Sequence, residues 1–206
     1  LTGLENRHAF NSLIESCKRD DRPALMSVLY IDLDKFKELN DRHGHAGGDA
    51  ALIALGGRLK HLADKDDSIR VFRIGGDEFC CVVGRAVNLD DISVLADRIR
   101  SLVSKPIAYD GRLIDVTVSI GAAIGLQGES IADVLEQADA AVYEAKSQGG
   151  DSCVVPDAKV RQRLERRLSI HRDLMPAIDE GKIGLYYQPI VRVSDCQLVG
   201  VEALAR

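Results

Sequence analysis

The sequence has no excess of positive charge: 27 Lys and Arg stand against 32 Asp and Glu, for a net charge of −5. A chain that grips nucleic acid ordinarily presents a net-basic surface to the phosphate backbone, so no nucleic-acid partner is expected. A phosphate-bearing small molecule is still admissible, because it needs only local positive charge. Paired cysteines are also lacking. Cys17, Cys80, Cys81, Cys153 and Cys196 contain no C-x-x-C pair, and their number is odd. Neither a zinc site nor a disulfide framework is indicated, and a reduced, cytoplasmic setting is expected. No apolar run approaches the length of a membrane span, and no signal peptide is recognisable. The chain begins at Leu1 without an initiator Met and stops inside an apolar pattern. We expect it to be a piece of a longer protein, whose membrane attachment, if any, lies in segments outside it.

What is present is an ordinary soluble composition, 46% hydrophobic and 29% charged, over 206 residues. That length holds one packed domain with residues left over. Leu25 to Leu33 is short, apolar and rich in branched residues, which predicts a buried strand. Helix-friendly residues follow from Lys35 to Asp41, then a Gly-rich bend from His43 to Gly48. Asp49 stands where it can cap a helix carrying Leu52, Leu55, Leu59 and Leu62 on one face. Ile69–Ile74 and Phe79–Val83 read as two strands joined by Gly75-Gly76-Asp77-Glu78, a hairpin. Ile92, Leu95, Ile99 and Leu102 mark a further helix, and 114–126 a further strand. Ser130 with Asp133 makes a capping-box pattern for a last helix that stops at Gly149-Gly150. A hairpin inside an otherwise alternating chain predicts an α/β (α+β) fold with a mostly antiparallel central sheet flanked by helices. The character changes near Pro156. We expect one domain over 1–156, a charged connecting helix over 157–182, and two strands over 183–206 too short to build a core.

The chemistry-bearing residues are acids. Asp32 and Asp34 end the first strand two positions apart and share one face if the strand persists. Asp77 and Glu78 occupy the hairpin turn. If the first strand pairs beside that hairpin, the carboxylates converge at one edge of the sheet. Clustered carboxylates repel unless protons or a cation neutralise them. Oxygen ligands of this kind suit Mg²⁺ bound together with phosphate oxygens. The Gly-Gly pair is more than a hairpin needs and predicts a close backbone approach.

These residues carry a resemblance. Gly75-Gly76-Asp77-Glu78-Phe79 is the GGDEF signature of the diguanylate cyclase family. Leu1 to Arg7 resembles the family's LTGLxNR, Asp32 to Asp41 its DxDxFKxxND, and Gly44 to Asp49 its GHxxGD. Val116 to Gly121 resembles TxSIG, and Ala138 to Lys146 resembles ADxAxYxAK. The matches run in order over roughly residues 1–155. The resemblance implies a fold like the palm of nucleotide cyclases. It implies one GTP per domain and a homodimer that joins two GTP into cyclic di-GMP with release of two pyrophosphates. It implies that Asp32, Asp77 and the Leu33 carbonyl bind Mg²⁺ (or Mn²⁺), and that Asp77 or Glu78 helps deprotonate the attacking hydroxyl. Asn40 and Asp49 are implied as guanine readers, with His45 near the nucleotide. Backbone N–H groups around Lys35 and Phe36 are implied to face the phosphates, beside Gly75, Gly76 and the charges of Lys37 and Lys146.

Two departures stand out. The family often has Arg where this chain has Gly150, and Gly150→Arg is expected to tighten GTP binding. Asp66-Asp67-Ser68-Ile69 replaces the family's R-x-x-D, so product inhibition through that site is not expected. The tail resembles a second family. Leu185 to Ile190 and Gly200 to Arg206 look like the opening of an EAL domain, the cyclic di-GMP phosphodiesterase. That resemblance implies Glu202 as a metal ligand and Gln188 and Arg206 as substrate contacts, in a fragment too short to act. The parent is expected to join both domains behind an N-terminal sensory region. Beside the cyclase stand two other function classes: a catalytically weak GTP-binding module regulating the EAL domain, and a structural dimerisation domain.

Overall fold

The computed structural model describes residues 1–19, 26–84, 88–126, 129–156 and 176–205. They fall into two compact units, one within 1–164 and one within 165–206. In the first unit the elements are β1 (Glu5–Asn6), α1 (Arg7–Arg19), β2 (Ser27–Leu33), α2 (Phe36–Ala63), β3 (Ile69–Arg73), β4 (Glu78–Val83), α3 (Leu89–Val103), β5 (Ile107–Tyr109), β6 (Arg112–Ile114), β7 (Val118–Ile124), α4 (Ile131–Ser147) and β8 (Cys153–Val154).

Six strands form the central sheet in the order β1-β3-β4-β2-β7-β8. The four inner strands pair antiparallel, and the short edge strands β1 and β8 pair parallel. The expected mostly antiparallel sheet flanked by helices is therefore observed. Strand alternation sends successive side chains to opposite faces. Leu29, Ile31 and Leu33 enter the core under α2 and α3, with Leu52, Leu55, Leu59, Ile92 and Ile99. Val28 enters the core under α1 and α4, with Phe10, Phe72, Val134 and Ala138. Along that second face β2 reads Val28, Tyr30, Asp32: apolar, then amphipathic, then charged as the strand leaves the core. Cys80 and Cys81 are free and wholly buried, and burial pushes the Cys81 thiol up to about 12, so both serve as small hydrophobes.

Several boundaries differ from the sequence expectation. The chain does bend within 43–48, at Gly44, but the helix resumes ahead of Asp49. Helical geometry runs from Phe36 to Ala63, broken only at Gly44, whose φ of 73° favours glycine. Asp49 is thus inside a helix and caps nothing. The expected strand over 114–126 is two elements, because Asp115–Thr117 leave the ladder. β6 instead turns back on β5 through Asp110-Gly111, both at positive φ, a hairpin signal that was overlooked. Helix α1 was also overlooked, although Phe10 and Ile14 lie one turn apart and both are buried. The capping box of Ser130 and Asp133 is present as expected.

In the second unit β9 (Leu185–Val191) and β10 (Leu198–Ala205) pair antiparallel, with Glu202 opposite Gln188. Every residue of β9 is exposed, so the pair has no core of its own, as expected. Of the expected connecting helix over 157–182, residues 157–175 lie outside the described residues, 176–179 form a helical turn, and 180–182 are not helical, because the chain turns at Glu180-Gly181.

One contact sets the height of α4 over the sheet. A β-carbon at Gly121 would overlap Val142 N and Ala138 O and lie 2.7 Å from the Ala141 carbonyl carbon. These are backbone atoms that no rotamer change can move. Gly121→Ala should therefore destabilise the chain by about 3 kcal/mol, the upper range for overpacking. Urea unfolding measures it, and an unchanged midpoint would show that α4 does not rest on this glycine.

Candidate active site

The site lies where β2, β4 and β7 end together. The register places Asp32 opposite Glu78 on one side and Ser119 on the other. The Leu33 N–H donates to the Asp77 carbonyl at 3.3 Å, so the hairpin turn is laced directly to the strand bearing Asp32. The predicted convergence of the acids at one sheet edge is therefore seen.

Asp32 is mostly covered. Its Oδ2 is 2.7 Å from Lys146 Nζ, which α4 delivers from above. Its Oδ1 is buried and has no hydrogen-bond partner. Burial pushes the Asp32 carboxyl above its ordinary value, Lys146 pulls it down, and the negative charges of Asp77 and Glu78 push it further up. An unpaired buried carboxylate oxygen is costly, and the negative charge around it rewards a cation. Among the described residues no group of three or more His, Cys, Asp or Glu is placed to hold a metal. A closed zinc or calcium cage is thus not offered. The free Asp32 oxygen, with the charges of Asp77 and Glu78 beside it, fits a cation that keeps waters and phosphate oxygens for its other positions, as Mg²⁺ does.

Asp34 shares the face of Asp32 but is fully engaged. It accepts from Thr117 Oγ1 at 2.8 Å, from Ser119 Oγ at 2.6 Å and from Asp151 N at 2.8 Å. It thereby pins the loop that follows α4, and Arg100 holds the same loop through Asp151 Oδ1 at 3.0 Å. Gly150 has φ +79°, and a β-carbon there would lie 2.9 Å from Asp34 Oδ1. An arginine at 150 is strained and pushes against the Asp34 anchor. The expected tightening of GTP binding by Gly150→Arg has to be reached against this strain.

The start of α2 has the form of an anion seat. Its N-cap, Lys35, is left-handed at φ 54°, and the Lys35 side chain makes no cap hydrogen bond. Such a residue ahead of a helix turns successive N–H groups toward one point, where the helix dipole favours negative charge. Lys37 is exposed in that first turn. Asn40 and Phe36 reach across the Gly44 break to Gly48, where a β-carbon would overlap Asn40 Oδ1 and lie 3.2 Å from Phe36 Cζ. His45 and Asp49 stand one turn apart just beyond the break, both exposed. The structure brings Asp32, Glu78 and Lys146 into one cluster beside Asp77, and Phe36 and Asn40 into another. The two glycines of the turn differ. Gly75 lies under the folded-back Glu78 carboxylate, whereas nothing lies within 4 Å of a β-carbon at Gly76. In the tail, Gln188 and Glu202 are cross-strand partners, while Arg206 lies outside the described residues.

Sequence reasoning missed three residues at the cluster. Arg7, Tyr30 and Asp139 line a cavity of about 210 Å³ with Asp32 and Glu78. Arg7 and Asp139 stand inside the quoted motifs, which was the available signal. A larger hollow of about 710 Å³ lies along Lys35, Glu38, Arg42 and Thr117, away from Asp32 and Asp77.

The Asp34 anchor can be tested directly. Asp34→Ala leaves the Thr117 and Ser119 hydroxyls and the Asp151 N–H without their acceptor. Stability should fall by about 2–3 kcal/mol, as for bonds to a charged group. Amide exchange at 148–152 should quicken at the same time. A stable variant with unchanged exchange would show that Asp34 anchors nothing.

The chain is similar to known proteins in sequence and in fold. The family model described as "Diguanylate cyclase, GGDEF domain" matches residues 1–152. The cyclic di-GMP phosphodiesterase NbdA of Pseudomonas aeruginosa is 32% identical over 100% of this chain and 26% of its own length. MucR of the same organism, a bifunctional diguanylate cyclase/cyclic di-GMP phosphodiesterase, is 33% identical over 100% of this chain and 30% of its own. The chain thus spans about a quarter to a third of these relatives. Among solved structures, the GGDEF domain of YfiN from Pseudomonas aeruginosa matches with a TM-score of 0.68 and 34% identity, covering 76% of this chain and 99% of that one. The GGDEF domain of DgcB from Caulobacter crescentus, solved with c-di-GMP, matches with a TM-score of 0.67 and 28% identity, over 75% and 89%. With the family model and the solved structures in agreement, the chain belongs to the GGDEF family of diguanylate cyclase domains and to cyclic di-GMP signalling.

Proposed function

We propose that residues 1–156 are an active diguanylate cyclase domain that holds one GTP and meets a second copy to form cyclic di-GMP. The observation that supports this most is the buried, unpartnered Oδ1 of Asp32 beside Asp77 and Glu78. A carboxylate is kept in that state where a cation is to be held. Asp32, Asp77 and the Leu33 carbonyl hold Mg²⁺ (or Mn²⁺), which when bound supplies positive charge to the phosphates and to the attacking hydroxyl. The open N–H groups around Phe36 and Lys37 receive phosphate oxygens. Lys146 adds charge where negative charge grows on the leaving pyrophosphate. Gly75 lets the turn close on Glu78, and Gly76 leaves open backbone beside the substrate. Asn40 and Asp49 read the guanine edge, since an amide both donates and accepts and a carboxylate accepts from guanine N–H groups. His45 lies on the same side of the helix as Asp49, one turn away.

The reaction joins the 3′-oxygen of one nucleotide to the α-phosphorus of the other. The bond to pyrophosphate breaks, and the hydroxyl proton passes toward Asp77 or Glu78. Done in both directions, it yields the cyclic product and two pyrophosphates. Each half-site therefore needs a partner domain, so a homodimer is part of the proposal.

A second function is favoured by Gly150. The missing arginine, in a loop that Asp34 holds in a glycine-only geometry, removes a bidentate grip on phosphate. On that account the domain is a catalytically weak GTP-binding module that regulates a neighbour. The neighbour we propose is an EAL phosphodiesterase domain opening at 183–206. The placement of Gln188 opposite Glu202 supports it, as do the GGDEF-containing relatives with phosphodiesterase names. A sensory region ahead of Leu1 completes the proposed parent.

At high protein concentration, which favours the dimer, the chain should convert GTP to cyclic di-GMP with Mg²⁺. Asp77→Ala should abolish the product and leave the fold intact. GTP bound but unchanged would instead establish the regulatory module. Asn40→Ala should narrow the preference for GTP over ATP. Unchanged discrimination would remove Asn40 from base recognition.

A further inference from the structure

Two motif residues have no role in the chemistry above. Arg7 closes the N-terminal motif and Asp139 lies in the α4 motif, yet both line the 210 Å³ cavity beneath Asp32 and Glu78. Arg7 opens α1. Its Nε donates to the Ile74 carbonyl at 2.7 Å, the residue just before Gly75. Its Nη2 lies 4.0 Å from Glu78 Oε2, at the far end of the same turn. One guanidinium therefore touches both ends of the segment that carries Asp77.

The base of Arg7 is fixed from two directions. Glu5 and Asn6 pair with Phe72 and Arg73 as β1, and Arg70 holds Glu5 at 2.6 Å. The Asn6 side chain accepts from Ala9 N at 3.0 Å and caps α1. From the other side of the turn, Arg73 Nη2 donates to the Gly76 carbonyl at 2.6 Å. Magnitude decides what Arg7 does here. Its side chain is 67% exposed and that of Glu78 50% exposed, and the pair is at the outer limit of ion pairing. Such a pair adds little to the stability of a fold. What it supplies is location and sign. The cavity also borders the carboxylates of Asp32, Glu78 and Asp139, and without a cation there Glu78 has reason to turn toward solvent.

We infer that Arg7 is a positioning residue for the Ile74–Glu78 turn, fixing where Glu78 and Asp77 stand relative to Asp32. Its effect on turnover rests on the cyclase function proposed above, and its effect on the turn does not. Arg7→Met keeps the apolar stem and removes the guanidinium, and Arg7→Lys keeps only the charge. In the whole 206-residue chain, hydrogen exchange at 74–79 should quicken in Arg7→Met while the bodies of β3 and β4 and the urea midpoint stay as they were. With GTP and Mg²⁺, kcat should fall by roughly tenfold to a hundredfold, the scale for a catalytic group displaced by an ångström, with KM within about twofold. Arg7→Lys should recover part of kcat but not the slow exchange, because an ammonium cannot bridge both partners. Unchanged exchange at 74–79 would overturn the inference whatever the activity. A raised KM with intact kcat would also overturn it, because Arg7 would then be a nucleotide contact. If the unaltered chain makes no cyclic di-GMP while the exchange changes as stated, the cyclase function fails and the positioning role stands.

Discussion

The structure of this domain depends on one uncomfortable carboxylate. Asp32 is carried to the end of a buried strand, one oxygen given to Lys146 and the other to nothing. A carboxyl held above its ordinary value costs the folded state at neutral pH. The cost appears as pH rises past the unfolded carboxyl's range and is relieved when the group is protonated. A fold selected for stability alone would place an apolar or hydrogen-bonded side chain there. Tolerated strain of this kind marks functional sites, and here it sits beside a turn bearing two more acids.

Much of the surrounding architecture holds that carboxylate's neighbours in place. Lys146 reaches Asp32 because α4 lies directly on β7 at Gly121, with no side chain between the backbones. The far end of α4 is started by the Ser130 capping box, and its near end is stopped by a loop tied to Asp34. Asp34 thus works for Asp32 at one remove. It fastens the loop that ends the helix that carries the lysine. The same tie fixes residue 150 in a conformation that suits glycine.

The core and the acids were legible in the sequence because each rests on a short-range pattern. A short apolar run rich in branched residues at 25–33 and leucines at three- and four-residue spacing in 52–62 predict strand, helix and the helix's buried face. Asp32 announced itself as a charge following an apolar run, and Asp77 by its place in the hairpin turn. Less legible was whatever depends on contacts between distant segments. Asp34 looks identical to Asp32 in sequence, and only the arrival of Thr117, Ser119 and Asp151 distinguishes an anchor from a ligand. Helix α1 escaped notice because Phe10 and Ile14 are few among polar residues, and tertiary packing on Phe72 and Tyr30 decides the matter. Gly44 was read as part of a loop because glycines also occupy 47 and 48, yet these two serve close packing against His43 and Asn40.

The central claim is that Asp32 keeps a free oxygen for a cation that arrives with the nucleotide. Titration of the Asp32 carboxyl carbon by NMR, in the free chain and with Mg²⁺ and a non-hydrolysable GTP analogue, tests it most directly. The account predicts a carboxyl that releases its proton above the ordinary aspartate range in the free chain. It predicts a clear downward move when Mg²⁺ and nucleotide are added together, because the cation binds only the charged form. An Asp32 that titrates at an ordinary value and ignores Mg²⁺ with nucleotide would contradict it.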